Sequence, residues 1–111
     1  MTRPPPDPVQ RLLGLLGLGL RSGRVGIGVE ATRAMLQRGD ARVVIIASNA
    51  SERAVEKVVA LAHGKAVPVL TGPEAVTIGE RLGRPPVMTV AVRDRDLAAG
   101  MLAAMANPDG R

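Results

Sequence analysis

The chain has no cysteine, phenylalanine, tryptophan or tyrosine, and one histidine. Each absence removes a class of chemistry. Without Cys there is no disulfide, no thiolate metal ligand and no thiol nucleophile. Without aromatic rings there are no platforms of the kind on which RNA-recognition-motif sheets and most oligonucleotide-binding barrels stack bases. The core must then be built from Leu, Val, Ile, Ala and Met. His63 has no second His with which to hold a metal, and no Ser-His-Asp or Cys-His set can be assembled. No catalytic residue, metal or cofactor is therefore expected. Long apolar runs are missing too: the longest, Leu12 to Leu20, has nine residues, against about twenty needed to span a bilayer. Prolines stand where the apolar core of a signal peptide would be, so a cytoplasmic protein without a membrane partner is expected.

What is present is positive charge. Fifteen Lys and Arg against ten Asp and Glu give a formal net charge of +5. That balance favours a polyanionic partner over a neutral small-molecule substrate. A chain of 111 residues is read as one domain, and a monomer is expected. The prolines at 4, 5, 6 and 8 make residues 1–8 a disordered arm. Residues 9–105 form the folded domain, and residues 106–111 a frayed tail.

The stretch from Gly23 to Gly39 organises the rest. Its glycines at 23, 26 and 28 leave backbone N–H groups uncovered just before a helix that runs from Val29 to Arg38 and stops at Gly39. Such a helix start suits an anion. Spacing places Ala31, Ala34, Met35 and Arg38 on one helix face. Before it, Val9 to Leu20 reads as an apolar helix whose small residues pack closely against a sheet. After it, Arg42 to Ala47 is a β-branched run, the mark of a strand covered on both faces. Asn49 with Glu52 resembles a capping box, followed by a helical stripe of Val55, Val58, Val59 and Ala62. Ala66 to Leu70 is a short strand in which Pro68, unable to donate to a ladder, points to a sheet edge or a non-bonding position. Pro73 opens another helix with Ala75, Ile78, Gly79 and Leu82 inward. Val87 to Val92 is a strand, and Asp94 caps a last helix with Leu97, Met101 and Met105 inward. Helices alternate with strands, so the fold class is α/β, a sandwich of α, β and α layers around a small sheet.

Gly26, Gly28 and Ala31 superficially match a dinucleotide fingerprint. The strand before them is too short, no acidic residue ends the strand that follows, and a second mononucleotide half is missing. The arginines make a better site. Arg21 and Arg24 flank the glycine-rich entry, Arg33 and Arg38 lie on the helix it opens, and Arg81 and Arg84 lead into the loop Gly83 to Pro86. Loops at like ends of a sheet converge, and arginines there would hold phosphates.

The order of segments resembles the kink-turn-binding ribosomal-protein superfamily, and in particular its small bacterial YlxQ-type members. The segments that carry the likeness are Leu12–Leu15 with Arg21–Arg24, Gly28–Gly39, Val43–Ser51, Val67–Val69, and Ile78–Gly79 with Val90–Val92. The resemblance implies a mixed four-stranded sheet in a three-layer sandwich, no enzymatic activity, and structured RNA, ribosomal or related, bound at one edge. It implies an RNA surface at the helix start from Gly28, the strand end Ala47–Asn49 and the loop Gly83–Pro86. The expected RNA-binding residues are Arg24, Gly26, Gly28, Val29, Glu30, Arg33, Ser48, Asn49, Arg84 and Pro85. Where kink-turn binders place an amide or basic group, then Glu, then Lys one turn later, this chain carries Glu30, Ala31 and Ala34. The alternative function is a protein-interaction module of the same fold, docking through Val87-Met88 and helix 29–38.

Overall fold

The elements follow from apolar periodicity punctuated by glycine and helix caps. In the computed structural model, which describes residues 7–106, they are α1 (Pro8–Arg21), β1 (Val25–Ile27), α2 (Val29–Arg38), β2 (Val43–Ile46), α3 (Glu52–Gly64), β3 (Val69–Thr71), α4 (Ala75–Leu82), β4 (Thr89–Val92) and α5 (Arg95–Ala106). Of the expected arm (1–8) and tail (106–111), residues 1–6 and 107–111 lie outside the described ones, while Asp7 caps α1 and Ala106 still belongs to α5. At the arm's inner end Pro8 is already helical, because Pro is well suited to the first helical position and the Asp7 carboxylate accepts the Gln10 N–H at 2.8 Å.

The sheet has the order β1-β4-β2-β3. β4 is antiparallel to both β1 and β2, while β2 and β3 are parallel, so the sheet is mixed. Every residue of β2 and β4 is buried, as a continuous β-branched run covered on both faces requires. Alternation divides them between two cores. Val43, Ile45, Val90 and Val92 pack with Leu12, Leu16, Ile78 and Met101 beneath α1, α4 and α5. Val44, Ile46 and Ala91 pack with Met35, Leu36 and Val58 beneath α2 and α3. This is the three-layer α-β-α sandwich.

Local readings differ from the structure in instructive places. The buried stripe of α2 is Thr32, Met35 and Leu36, while Ala31 and Ala34 are half-buried and Arg38 is exposed. Thr32 goes inside because its hydroxyl meets that of Thr89 at 3.0 Å, so neither polar group is left unpaired. The box expected from Asn49 and Glu52 does not form. Ser51 is the cap of α3, accepting the Ala54 N–H at 3.2 Å, and Asn49 caps α4 instead, accepting the Ala75 N–H at 2.8 Å. β3 begins at Val69 rather than Ala66, since Ala66 adopts a left-handed φ of 56° and Pro68 supplies only its carbonyl, to the Val44 N–H. Gly19 sets α1 close to the sheet, with Val25 Cγ1 only 2.7 Å from where a Cβ would stand.

The strand directions define two ends. β1, β2 and β3 finish, and β4 starts, at one end, called upper below; α2, α3 and α4 all begin there. β1 and β2 start, and β4 finishes, at the lower end.

Candidate nucleic-acid interface

At the upper end the backbone itself builds the site. Gly28 sits at the cap position of α2 with φ 97° and ψ 167°, a conformation essentially confined to glycine. Its N–H donates to Thr89 O at 2.8 Å, tying the helix start to β4. Among the described residues no side chain caps α2, so the amides of its first turn point outward with the positive end of the helix dipole. The Ala47 N–H donates to Met88 O at 2.8 Å, joining the end of β2 to the segment before β4. That segment is held on α4 by two bonds, Arg84 N–H to Gly79 O at 2.8 Å and Val87 N–H to Ala75 O at 3.0 Å. Gly79 makes the seat possible. A methyl there would meet Pro85 O, Arg84 O and Pro85 C.

Two grooves meet over the start of α2. One, of about 350 Å3, lies between Ile27–Val29 and the segment Arg84–Met88. The other, of about 230 Å3, runs from Val29 and Glu30 to Ser51, Arg53 and Lys57 on the first turns of α3. They share Val29 and Met88. The exposed cations Arg84, Arg53 and Lys57 thus stand on either side of an uncapped helix start. Glu30 is the acid between them, with Oε1 3.8 Å from the Arg33 NH1 in an exposed pair that is worth little energetically. Among the described residues the buried Arg33 Nε has no hydrogen-bond partner, so that guanidinium has a donor still open.

The expected site residues divide. Gly28, Val29, Glu30, Arg33, Ser48, Arg84 and Pro85 belong to the upper end. Gly26 serves packing: a Cβ there would lie 2.5 Å from Met35 Sδ and 3.3 Å from Ala31 Cβ. Asn49 spends its side-chain oxygen on α4. The expected meeting of all the arginines does not occur. Arg24 precedes β1, four residues or about 13 Å of extended chain from Gly28, and pairs with Asp94 at 3.3 Å. Arg38 ends α2 beside Asp40, and Arg21 and Arg81 line a separate groove of about 300 Å3 with Gly14 and Gly17. Sequence reasoning missed Arg53 and Lys57. The signal was available, since residues two and six positions after a Ser cap lie on the first turns of a helix.

His63 is exposed on the last turn of α3. Among the described residues no group of three or more His, Cys, Asp or Glu could hold a metal, and no helix is long and apolar enough to cross a membrane. The arrangement can present donors to an anionic backbone.

A small α-β-α sandwich with a cationic double groove at one sheet end is the class that fold and geometry define. Within that class, a family model for the ribosomal protein L7Ae/L30e/S12e/Gadd45 family matches residues 10–100, and the chain belongs to that family. Among solved structures it is similar to a protein of unknown function from Bacillus halodurans, with 23% identity, 86% of this chain and 97% of that one covered, and a TM-score of 0.82. It is also similar to a 15.5 kD RNA-binding protein from Giardia lamblia, with 18% identity, 99% and 94% covered, and a TM-score of 0.74. No curated protein matches it.

Proposed function

We propose that the chain is a non-catalytic, cytoplasmic RNA-binding protein that acts as a monomer on structured RNA, ribosomal or related, through the upper end of its sheet. Family membership and the likeness to an RNA-binding protein support the reading. The observation that carries it is the uncapped start of α2 between Arg84 on one side and Arg53 and Lys57 on the other. Amides and guanidinium groups hold phosphates without regard to sequence. Base reading is thin here. At the positions where kink-turn binders place polar readers, Ala31 faces Gly26 across the α2–β1 contact and Ala34 offers no donor. Glu30 alone can accept from a guanine edge. Recognition then depends on RNA shape and backbone path more than on base identity.

Crosslinking in the cells of origin, with sequencing of the bound RNA and mapping of the crosslinked peptides, tests this. Structured RNA joined to peptides spanning residues 27–34, 51–57 or 84–88 is expected. Crosslinks confined to other peptides, or no RNA above background, would refute the assignment. The protein-interaction reading loses ground, because Val87, half of its proposed docking loop, is 5% exposed and part of the core.

A further inference from the structure

The lower end of the sheet carries a charge pattern that the site above does not use. Val92 of β4 is the register partner of Val25 on one side and of Val43 on the other. One residue beyond each stand Arg24, Arg93 and Arg42. The Arg93 N–H donates to Arg24 O at 2.9 Å, and the Arg42 N–H to Val92 O at 2.7 Å, so the three are neighbours on adjacent segments of the sheet. With strands about 4.8 Å apart, the row spans roughly 10 Å. All three residues are exposed.

Like charges set side by side across strands oppose folding, and the local acids do little to relieve them. Arg24 has Asp94 at 3.3 Å, whose other oxygen is committed to capping α5 through the Leu97 N–H at 2.9 Å. Neither Arg42 nor Arg93 has a carboxylate within 4.0 Å among the described residues. Helix dipoles explain some basic residues at this end, since Arg21 and Arg38 lie in the last turns of α1 and α2. They do not explain Arg42 and Arg93, which flank strands, where the net dipole is small.

We propose that Arg24, Arg93 and Arg42 form a second, sequence-independent surface for the phosphate backbone of duplex RNA, so that one chain bridges two RNA segments. This rests on the reading of the protein as an RNA binder, and locates a contact on the side away from the grooves. The partner follows from what the row lacks. Its valines are buried or half-buried, leaving no apolar centre for a protein interface. A duplex backbone asks only for cations in a row.

The test uses the full chain and an RNA duplex of 20 base pairs and arbitrary sequence, with binding followed by anisotropy across a salt series. At roughly 0.7 to 0.9 of slope per phosphate contact, the pair Arg42→Gln and Arg93→Gln should lower the slope by about 1.4 to 1.8. Between 50 and 200 mM salt the native chain should then lose about tenfold more affinity than the variant. In a second measurement, duplex fixed to beads captures labelled duplex through the protein. The Gln pair should abolish capture while still binding the fixed duplex, and Arg42→Lys with Arg93→Lys should restore it. Unchanged slope and capture in the Gln pair, or equal loss in the Lys pair, would overturn the proposal. Arg84→Gln with Lys57→Gln separates the two surfaces. If that pair abolishes all binding while the Gln pair at the lower end behaves as native, the upper site stands and the lower one fails. If it binds as native while the lower-end pair does not, the reverse holds.

Discussion

Gly79→Ala distinguishes a helix glycine that is merely tolerated from one on which a binding segment is seated. At an exposed helix position the change would stabilise by up to about 1 kcal/mol, through backbone entropy and helix propensity. Gly79 is buried. A methyl there would lie 2.8 Å from Arg84 O and 2.9 Å from Pro85 C, and would collide with Pro85 O. These are backbone atoms, which cannot rotate away as a side-chain tip can. Either the core is overpacked, at about 1 to 3 kcal/mol, or residues 84–87 lift off α4. Lifting endangers the Arg84 N–H to Gly79 O and Val87 N–H to Ala75 O bonds, each worth about 0.5 to 1.5 kcal/mol net.

Set against the propensity gain of up to about 1 kcal/mol, the expected net loss is up to about 2 kcal/mol. For a domain of this size each kcal/mol moves the thermal midpoint by roughly 4 to 8 °C. Because the same segment carries Arg84 and lines the larger groove, RNA affinity should fall in the variant even at temperatures where it is fully folded. Urea denaturation and an anisotropy titration at 20 °C below the variant's midpoint measure the two effects. A variant as stable as the native chain, binding RNA equally well, would refute both the steric argument and the role given to the segment.

Thr32→Val alone should destabilise by about 1 to 3 kcal/mol, because it strands the fully buried Thr89 hydroxyl; Thr32→Val with Thr89→Val should recover most of the loss in a double-mutant cycle of urea melts. Asn49→Ala should cost about 1 kcal/mol of stability through the uncapped Ala75 N–H while leaving the salt slope of RNA binding unchanged; a lowered slope with native stability would return Asn49 to the RNA surface. Ala66→Gly should stabilise by a few tenths to about 1 kcal/mol, since it relieves a left-handed backbone in a short connection, and a lower denaturation midpoint would contradict this.

Much of the fold was legible because its signals are local. The β-branched run at 43–46 admits few readings other than a doubly covered strand, and Gly28 and Gly39 bracket α2 at the residues where the structure begins and ends it. In α4 the expected inward residues, Ala75, Ile78, Gly79 and Leu82, are the buried ones. What was hidden depends on partners distant in sequence. Thr32 looks polar until Thr89, 57 residues on, supplies a hydroxyl. Asn49 looks like the cap of the next helix until Ala75, 26 residues on, takes its oxygen. Arg24 reads as part of the glycine-rich entry, and only the direction of β1 shows that three extended residues carry the chain away from it.

The position of β4 links the two surfaces. Inserted antiparallel between β1 and β2, it brings its starting segment, with Arg84 to Met88, against the end of β1 and the start of α2. The same insertion carries its finish, Arg93, between Arg24 and Arg42. Its register is over-determined: Val90 and Val92 must face the core under α1, α4 and α5, and Ala91 the one under α2 and α3. A slip of one residue would turn valines toward the space that alanine fits and would break the Thr32–Thr89 contact. Core packing and the backbone hydrogen bonds that follow from this register therefore align both the groove and the arginine row. Changes to the exposed cations should accordingly alter binding while leaving the fold in place, whereas changes to the small residues beneath, Gly26 and Gly79, should disturb both together.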